Sequence, residues 1–453
     1  MAASPPVKFL KSLIWLYLVL LLIEGALRKW ALPNQTNVLA VARDPLVILI
    51  YLVAMSCRRF PMNGYVMGSF LLATGCFCAS LLAPDVPLIV VIIGLRCYFL
   101  HLPLIFVMEH TLEEEDFARM GKFLFWFAIP ETILCVLQLE SPQSAWVNLS
   151  LGGQVTQGMS GALDKFRPSG TFSFTTGVAE FYPLTLAMLL GFLLTQRKLP
   201  WYLSISTAVC VAVAVPVSIS RTNALTCALV LIMSGAAVFA LPRAPQNVVR
   251  IVFLVGVVTI IVSCLPQFDE GVQVFGARWT DSTGSDASSF QQNIVMRFFN
   301  DLLPPLDVLY SAPLLGYGVG VGTPMAQAYL GGARQFIFGE GEWPRLLLEL
   351  GPVLGVTFIM LRIGICVRMV RMSFASLRRE NIWPAILGVQ ALLLVLNAQW
   401  AQPTTQGFAT FGAGLAFAAT RMNVARTKTS RRRRRQPQWS APEESLTLPS
   451  SSS

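Results

Sequence analysis

Apolar stretches of about 17 to 25 residues recur from one end of this chain to the other, and no other feature limits its fold as strongly. Each is long enough, as a helix, to cross roughly 30 Å of hydrocarbon. The runs lie at 12–29, 38–56, 64–82, 86–108, 121–139, 176–195, 201–219, 222–241, 248–265, 344–370, 382–399 and 404–420. They predict an all-α, polytopic transmembrane bundle of about twelve spans over residues 1–425, with a tail at 426–453. Of the 453 residues 54% are hydrophobic and 13% charged, against roughly 25% charged in soluble domains, which leaves no separate soluble domain. The first run follows Lys8 and Lys11 as a signal peptide would. It lacks a small-x-small cleavage site and continues into Arg28-Lys29-Trp30, so it is expected to be retained.

Basic residues then orient the bundle, because cytoplasmic loops are enriched in lysine and arginine. An internal N-terminus places Arg58-Arg59, Arg119, Lys122, Arg197-Lys198, Arg243, Arg250, Arg368 to Arg379 and the Arg431 to Arg435 run in the cytoplasm. The net charge of +10 follows from this topology and does not point to nucleic acid. On the outer face two connections are long, 140–175 and 266–343, the second a large extracytoplasmic loop before the last three helices. Within it Ser289 to Leu303 predicts an amphipathic helix with Ile294, Phe298 and Leu302 on one side. Inside, Glu109 to Asp116 reads as a solvated helix cap, and Thr427 onward as a disordered Arg-, Ser- and Pro-rich tail. Its arginine run has two readings, recruitment of anionic lipid or a partner, and a topogenic anchor left in solvent. The nine cysteines fall inside or beside apolar runs, which argues against a disulfide framework. Cys76 and Cys78 lack metal-ligand spacing, and the sequence carries no phosphate-binding Gly-x-x-x-x-Gly-Lys loop and no evident repeat, so neither a cofactor nor a metal is expected.

Arginines that break the basic-inside pattern are the informative ones: Arg167, Arg221, Arg278, Arg297, Arg334 and Arg345. Arg221 lies in the polar break Ser218-Ile219-Ser220-Arg221-Thr222, where it reads either as an interfacial snorkelling residue or as a guanidinium that holds an anion. Glu24, Arg43, Asp44, Arg96 and Glu180 lie within spans, as interhelical ion pairs or as a functional set, and the adjacent Arg43 and Asp44 are expected to compensate one another in part. His101 and His110 are too few for a metal site. Gly316, Gly318, Gly320 and Gly322 alternate with other residues in the outer loop, making either tight turns or an approach of backbone amides to an anion. Glu340 and Glu342 precede a membrane helix, as caps or as a general base for a sugar hydroxyl.

Four segments together resemble the O-antigen ligase and O-antigen polymerase superfamily. Arg167-Pro168-Ser169-Gly170-Thr171-Phe172-Ser173 is similar to the family's Arg-x-x-Gly-Thr-Phe at the start of a helix, and Ser220-Arg221-Thr222 to its Ser-Arg-Thr. Arg297 ahead of Pro313 to Gly320 resembles its arginine-helix-glycine-loop element, and Glu349-Leu350-Gly351 the end of its last loop-to-helix motif. The family's His-Asn position is held here by Glu340-Gly341, so no histidine role carries over. The resemblance implies a bacterial inner-membrane glycosyltransferase that moves a glycan from a polyprenyl diphosphate to a glycan or lipid-glycan acceptor at the outer face. In it Arg221, Arg297 and Arg167 would stabilise the diphosphate leaving group, doing what a metal ion does elsewhere. Glu340 or Glu342 would act as base. Two other readings stand beside it: a transporter or flippase of lipid-linked glycan, against which the large outer loop argues, and a non-catalytic part of a polysaccharide assembly machine, kept open by the missing histidine.

Overall fold

The computed structural model describes residues 5–83, 86–155, 163, 165–195, 197–239, 244–283, 306–330 and 341–422. Among these no strand forms, and helix covers each of the twelve apolar runs. The longer helices are α1 (Pro5–Ala26), α2 (Arg43–Ser56), α3 (Gly64–Leu82), α4 (Leu88–Leu95), α5 (Leu102–Thr111), α6 (Glu114–Glu140), α7 (Thr175–Leu194), α8 (Trp201–Val217), α9 (Arg221–Val238), α10 (Ala244–Ser263), α11 (Pro266–Thr283), α12 (Glu342–Leu377), α13 (Trp383–Asn397) and α14 (Pro403–Ala419). A π-helical turn, Leu27–Ala31, extends α1, and another, Arg96–Leu100, joins α4 to α5. Eight helical segments among the described residues are long and apolar enough to cross a membrane, and a ninth if Val255–Ser263 and Phe268–Ala277, bent by 92°, count as one. The protein is thus an all-helical, multi-pass membrane protein. The bend falls where the sequence reading ended a span and began the outer loop. Pro266 instead starts α11, which its fixed φ and missing N–H suit, and α11 lies against α8 with Gly271 beside Val217.

α7 and α14 lie at the centre, buried along nearly their whole length. In α14 the run Pro403 to Ala419 is rich in Gly, Ala and Thr, small residues that let neighbouring backbones approach. It pairs with α13 as a hairpin whose base is tied by Asn381 Nδ2 donating to the Ala419 and Met422 carbonyls at 2.8 and 3.2 Å. The arms have 15 and 17 residues, about 22 and 26 Å at helical rise, short of the roughly 30 Å of hydrocarbon. Their turn, 398–402, is therefore held within the bundle, with Trp400 fully buried.

α12 is not a straight rod. Glu342 Oε1 and Arg362 Nη1 are 2.8 Å apart although 20 residues separate them, a distance of about 30 Å along an unbroken helix. At Gly351 (φ 78, ψ 167) the chain folds back, so that arm 342–350 lies against the start of arm 352–377. Pro352 has no N–H, and Leu348 loses its helical donor; Tyr317 N supplies one at 2.9 Å, and Gly318 N donates to Glu349 O at 3.1 Å. The sequence reading took 344–370 as one span because hydropathy does not report direction.

At one end of the bundle, residues 109–116 collect basic side chains from several connections. Lys11 Nζ bridges Glu113 (2.9 Å) and Asp116 (2.7 Å), Arg197 meets Glu114 (2.8 Å) and Arg368 meets Glu109 (2.7 Å). Arg59 and Arg421 donate to the His110 and Glu109 carbonyls. The hydrogen bond from Lys11 draws the Glu113 carboxyl below its ordinary range. The expected solvated cap is found in part: Glu113 and Asp116 close a capping box on α6 and Glu113, Glu114 and Glu115 are exposed, while Glu109 and Asp116 are buried.

Gly351→Ala is expected to lower the unfolding midpoint in detergent, since its backbone region alone costs a side-chain-bearing residue about 1–3 kcal/mol and the new methyl would lie 2.4 Å from Leu314 O. Gly235→Ala, whose methyl meets nothing within 4 Å, is the neutral control.

Candidate functional site

The glycine loop holds an anion, and it is the chain's own. Glu349, fully buried on arm 342–350, accepts from Gly320 N at 2.8 Å, Gly322 N at 3.1 Å and Tyr98 Oη at 3.1 Å. Gly320 has φ 92 and its Cα side touches α4, where a methyl would lie 2.3 Å from Val90 O, so a side chain there is excluded twice over. Val319 N donates to Ser80 Oγ at 2.9 Å. The close approach of amides to a carboxylate that the spacing allowed is thus realised within the chain.

Two groups of buried charge contact the hairpin turn of α13 and α14, the first including Glu349. Arg345 faces Glu349 at 3.7 Å and is ion-paired to Glu342. Glu342 also takes Arg362 at 2.8 Å and the Trp400 N–H at 3.3 Å, while Arg362 donates to the Val395 and Ala398 carbonyls. On the other side of the turn, Arg43 bonds Glu24 at 2.7 Å and the Pro403 carbonyl at 2.6 Å. Glu24 also meets Arg28 at 3.3 Å. Asp44 pairs with Arg96 and, at 3.0 Å, with His101, whose other ring nitrogen meets Tyr17 Oη at 2.9 Å. Arg43 and Asp44, expected to compensate one another, bond different partners because consecutive helical residues face different neighbours. Beneath them Gln406 donates to the Arg96 carbonyl, Thr405 to Glu180 Oε1 at 2.6 Å and Thr176 to Gln402 at 3.2 Å.

The segment 167–173 is gripped from two helices. On α6, Gln138 accepts from the N–H groups of Ser169 (3.1 Å) and Gly170 (2.8 Å), and Glu131 from that of Thr171 (3.2 Å). On α1, Lys29 donates to Ser169 Oγ (2.7 Å) and Gly170 O (3.0 Å), Arg28 to Ser173 Oγ (3.1 Å), and the Leu22 carbonyl accepts from Thr171 Oγ1 (2.8 Å). Arg167 emerges half-buried at the start of this segment. Arg221, also half-buried, is the first residue of α9, which is joined to α8 by a three-residue turn and packs on α7. Helices joined by short turns alternate in direction, so Arg221 and the start of α7 lie at the same end of the bundle, opposite the 109–116 cluster.

Of the residues singled out from sequence, Arg167, Arg221, Glu342 and the four glycines are described; Arg297, Arg334, Glu340, the side chain of Arg278, helix 289–303 and the tail 426–453 lie outside the described residues. Glu342 has both oxygens committed to guanidinium groups. Arg345, expected at the outer face, is buried between two carboxylates. Sequence reasoning passed over Arg362, Glu131, Gln138 and Gln406; the signal was there, since each is a polar residue inside an apolar run. Together the fold and these groups define a polytopic helical membrane protein with a charged, internally paired centre displaced toward one face. No family model matches the chain, and neither does any curated protein.

Removing one partner of a buried ion pair costs about 3–5 kcal/mol, so Glu342→Ala is expected to be strongly destabilising in detergent unfolding. Arg362→Met added to it should cost far less than on its own.

Proposed function

We propose that the chain is a membrane glycosyltransferase of the O-antigen ligase and polymerase kind, transferring or polymerising a polyprenyl-diphosphate-linked glycan in surface or exopolysaccharide assembly. In this reading it crosses the bacterial cytoplasmic membrane about twelve times, with both termini in the cytoplasm and the two groups of buried charge toward the outside. The observation that carries it is the division of the bundle into two chemical ends. Loop arginines gather on the 109–116 acidic cluster at one, while Arg167 and the helix start bearing Arg221 lie at the other, the end of the 167–173 segment.

The reaction follows from what a guanidinium does beside a diphosphate. An acceptor hydroxyl attacks the anomeric carbon, its C–O bond forms as the bond to the diphosphate breaks, and the hydroxyl proton passes to a carboxylate. Charge grows on the leaving diphosphate, and Arg221, Arg297 and Arg167 would meet it with bidentate hydrogen bonds strengthened by low-dielectric surroundings. Because Glu342 is committed to Arg345 and Arg362, Glu340 is the base in this reading.

In a deletion strain complemented with Arg221→Ala or Arg297→Ala, each checked for folding, polymer is expected to fall by about 10²-fold or more with lipid-linked precursor accumulating; parental polymer levels would remove the arginines from the reaction. Glu340→Gln should behave likewise, and unchanged yield and length would instead favour a non-catalytic assembly component. For orientation, with exposed Cys78 and Cys264 replaced by serine, Gln327→Cys is expected to react with an impermeant maleimide on intact cells and Glu115→Cys only after permeabilisation. The reverse pattern would overturn the sidedness.

A further inference from the structure

The turn that presents Arg221 is strained and braced. Ile219, β-branched and fully buried, sits at φ 47, in the left-handed region that such a residue rarely occupies. Its N–H bonds the Pro216 carbonyl at 2.9 Å, closing α8, and Ser220 then caps α9 by accepting from Asn223 N at 3.3 Å. Asn223 ties the two helices across this turn. Its side chain is fully buried; Nδ2 donates to Ser218 Oγ at 3.1 Å and to the Ala214 carbonyl at 3.5 Å, and Oδ1 accepts from Cys227 Sγ at 3.5 Å. Ser218 and Ser220 are buried with it. An ordinary helix hairpin needs no such arrangement: a glycine at position 219 would make the turn without strain.

The strain and the brace flank the first turn of α9, where Arg221, at the first helical position, and Thr222 lie between Ser220 and Asn223. Resting on the function proposed above, we infer that Asn223 is a positioning residue for Arg221: its hydrogen bonds to the end of α8 hold Ile219 in the left-handed region and so fix the direction in which the guanidinium meets the diphosphate of the donor. Asn223 itself does not touch that ligand. A loosened turn would keep the charge and lose its aim, which matters for a fork that bonds two phosphate oxygens at once.

The test is a double-mutant cycle read by binding of farnesyl diphosphate, a short polyprenyl diphosphate, to purified full-length protein in detergent. Arg221→Ala should weaken binding by about tenfold or more, and Asn223→Ala by about threefold to tenfold in the parent but less than about twofold in the Arg221→Ala background, the signature of residues acting as one unit. Farnesyl monophosphate should show a smaller loss from Asn223→Ala than the diphosphate does. If Arg221→Ala weakens binding and Asn223→Ala costs the same in both backgrounds, Asn223 is merely structural and the inference fails while the functional reading stands. If Arg221→Ala changes nothing, the role of Arg221 fails and the inference falls with it. Should Asn223→Ala not fold, Ser218→Ala, which removes the acceptor, and Ile219→Gly, which relaxes the turn, complete the same cycle with the same outcomes.

Discussion

Hydrocarbon cannot solvate a peptide group, and at three places among the described residues where the chain leaves the regular helix another part of the protein supplies the missing partner. At Gly351-Pro352 the freed carbonyls of Leu348 and Glu349 receive the amides of Tyr317 and Gly318. At the π-helical turn Arg96–Leu100, Tyr51 donates to the Leu100 carbonyl and Gln406 reaches the Arg96 carbonyl. The turn at 169–172, with Gly170 at φ 55, is met by Gln138 and Glu131. These partners come from segments far apart in sequence, so the interruptions knit the bundle together rather than weaken it.

The same constraint accounts for the charges. A lone ion within the bilayer is costly, and these are linked: Glu24 to Arg28 and Arg43, Asp44 to Arg96, Glu342 to Arg345 and Arg362. Such pairs add little net stability against apolar replacements but make the position of each helix depend on its partner's. Their placement around one turn gives the bundle a polar face toward which helix starts and the glycine loop converge. Arg167 and Arg221 are half-buried.

Much of this architecture was legible in advance. Each apolar run became helix because length and composition alone set that outcome in lipid, and the separation of loop arginines from Arg167 and Arg221 follows from charge bias. What stayed hidden was geometric. Residues 344–370 have the hydropathy of a single crossing, and nothing local says that the chain reverses at Gly351. The glycine run left open tight turns or an approach of amides to an anionic ligand, and nothing local said that its amides would meet Glu349, placed there by the same reversal. Likewise Glu109 to Asp116 has a polar composition that fits solvent, and the arrival of Lys11 from α1, Arg197 from a connection and Arg368 from α12 accompanies the burial of part of it.

The folded-back arm of α12 carries a consequence for biosynthesis. Arm 342–350 leaves the ribosome before its counterparts do: Trp400 supplies an amide to Glu342, and the Val395 and Ala398 carbonyls receive Arg362. Before the last hairpin inserts, this arm can meet Tyr98 and the glycine loop, both made earlier, but a nascent chain halted near residue 390 holds Glu342 and Arg362 without the backbone groups of 395–400 that later surround them. Completion of the Glu342 and Arg362 side of the charged centre therefore waits on the final hairpin, while its Glu24 and Asp44 side is built from the helices made first.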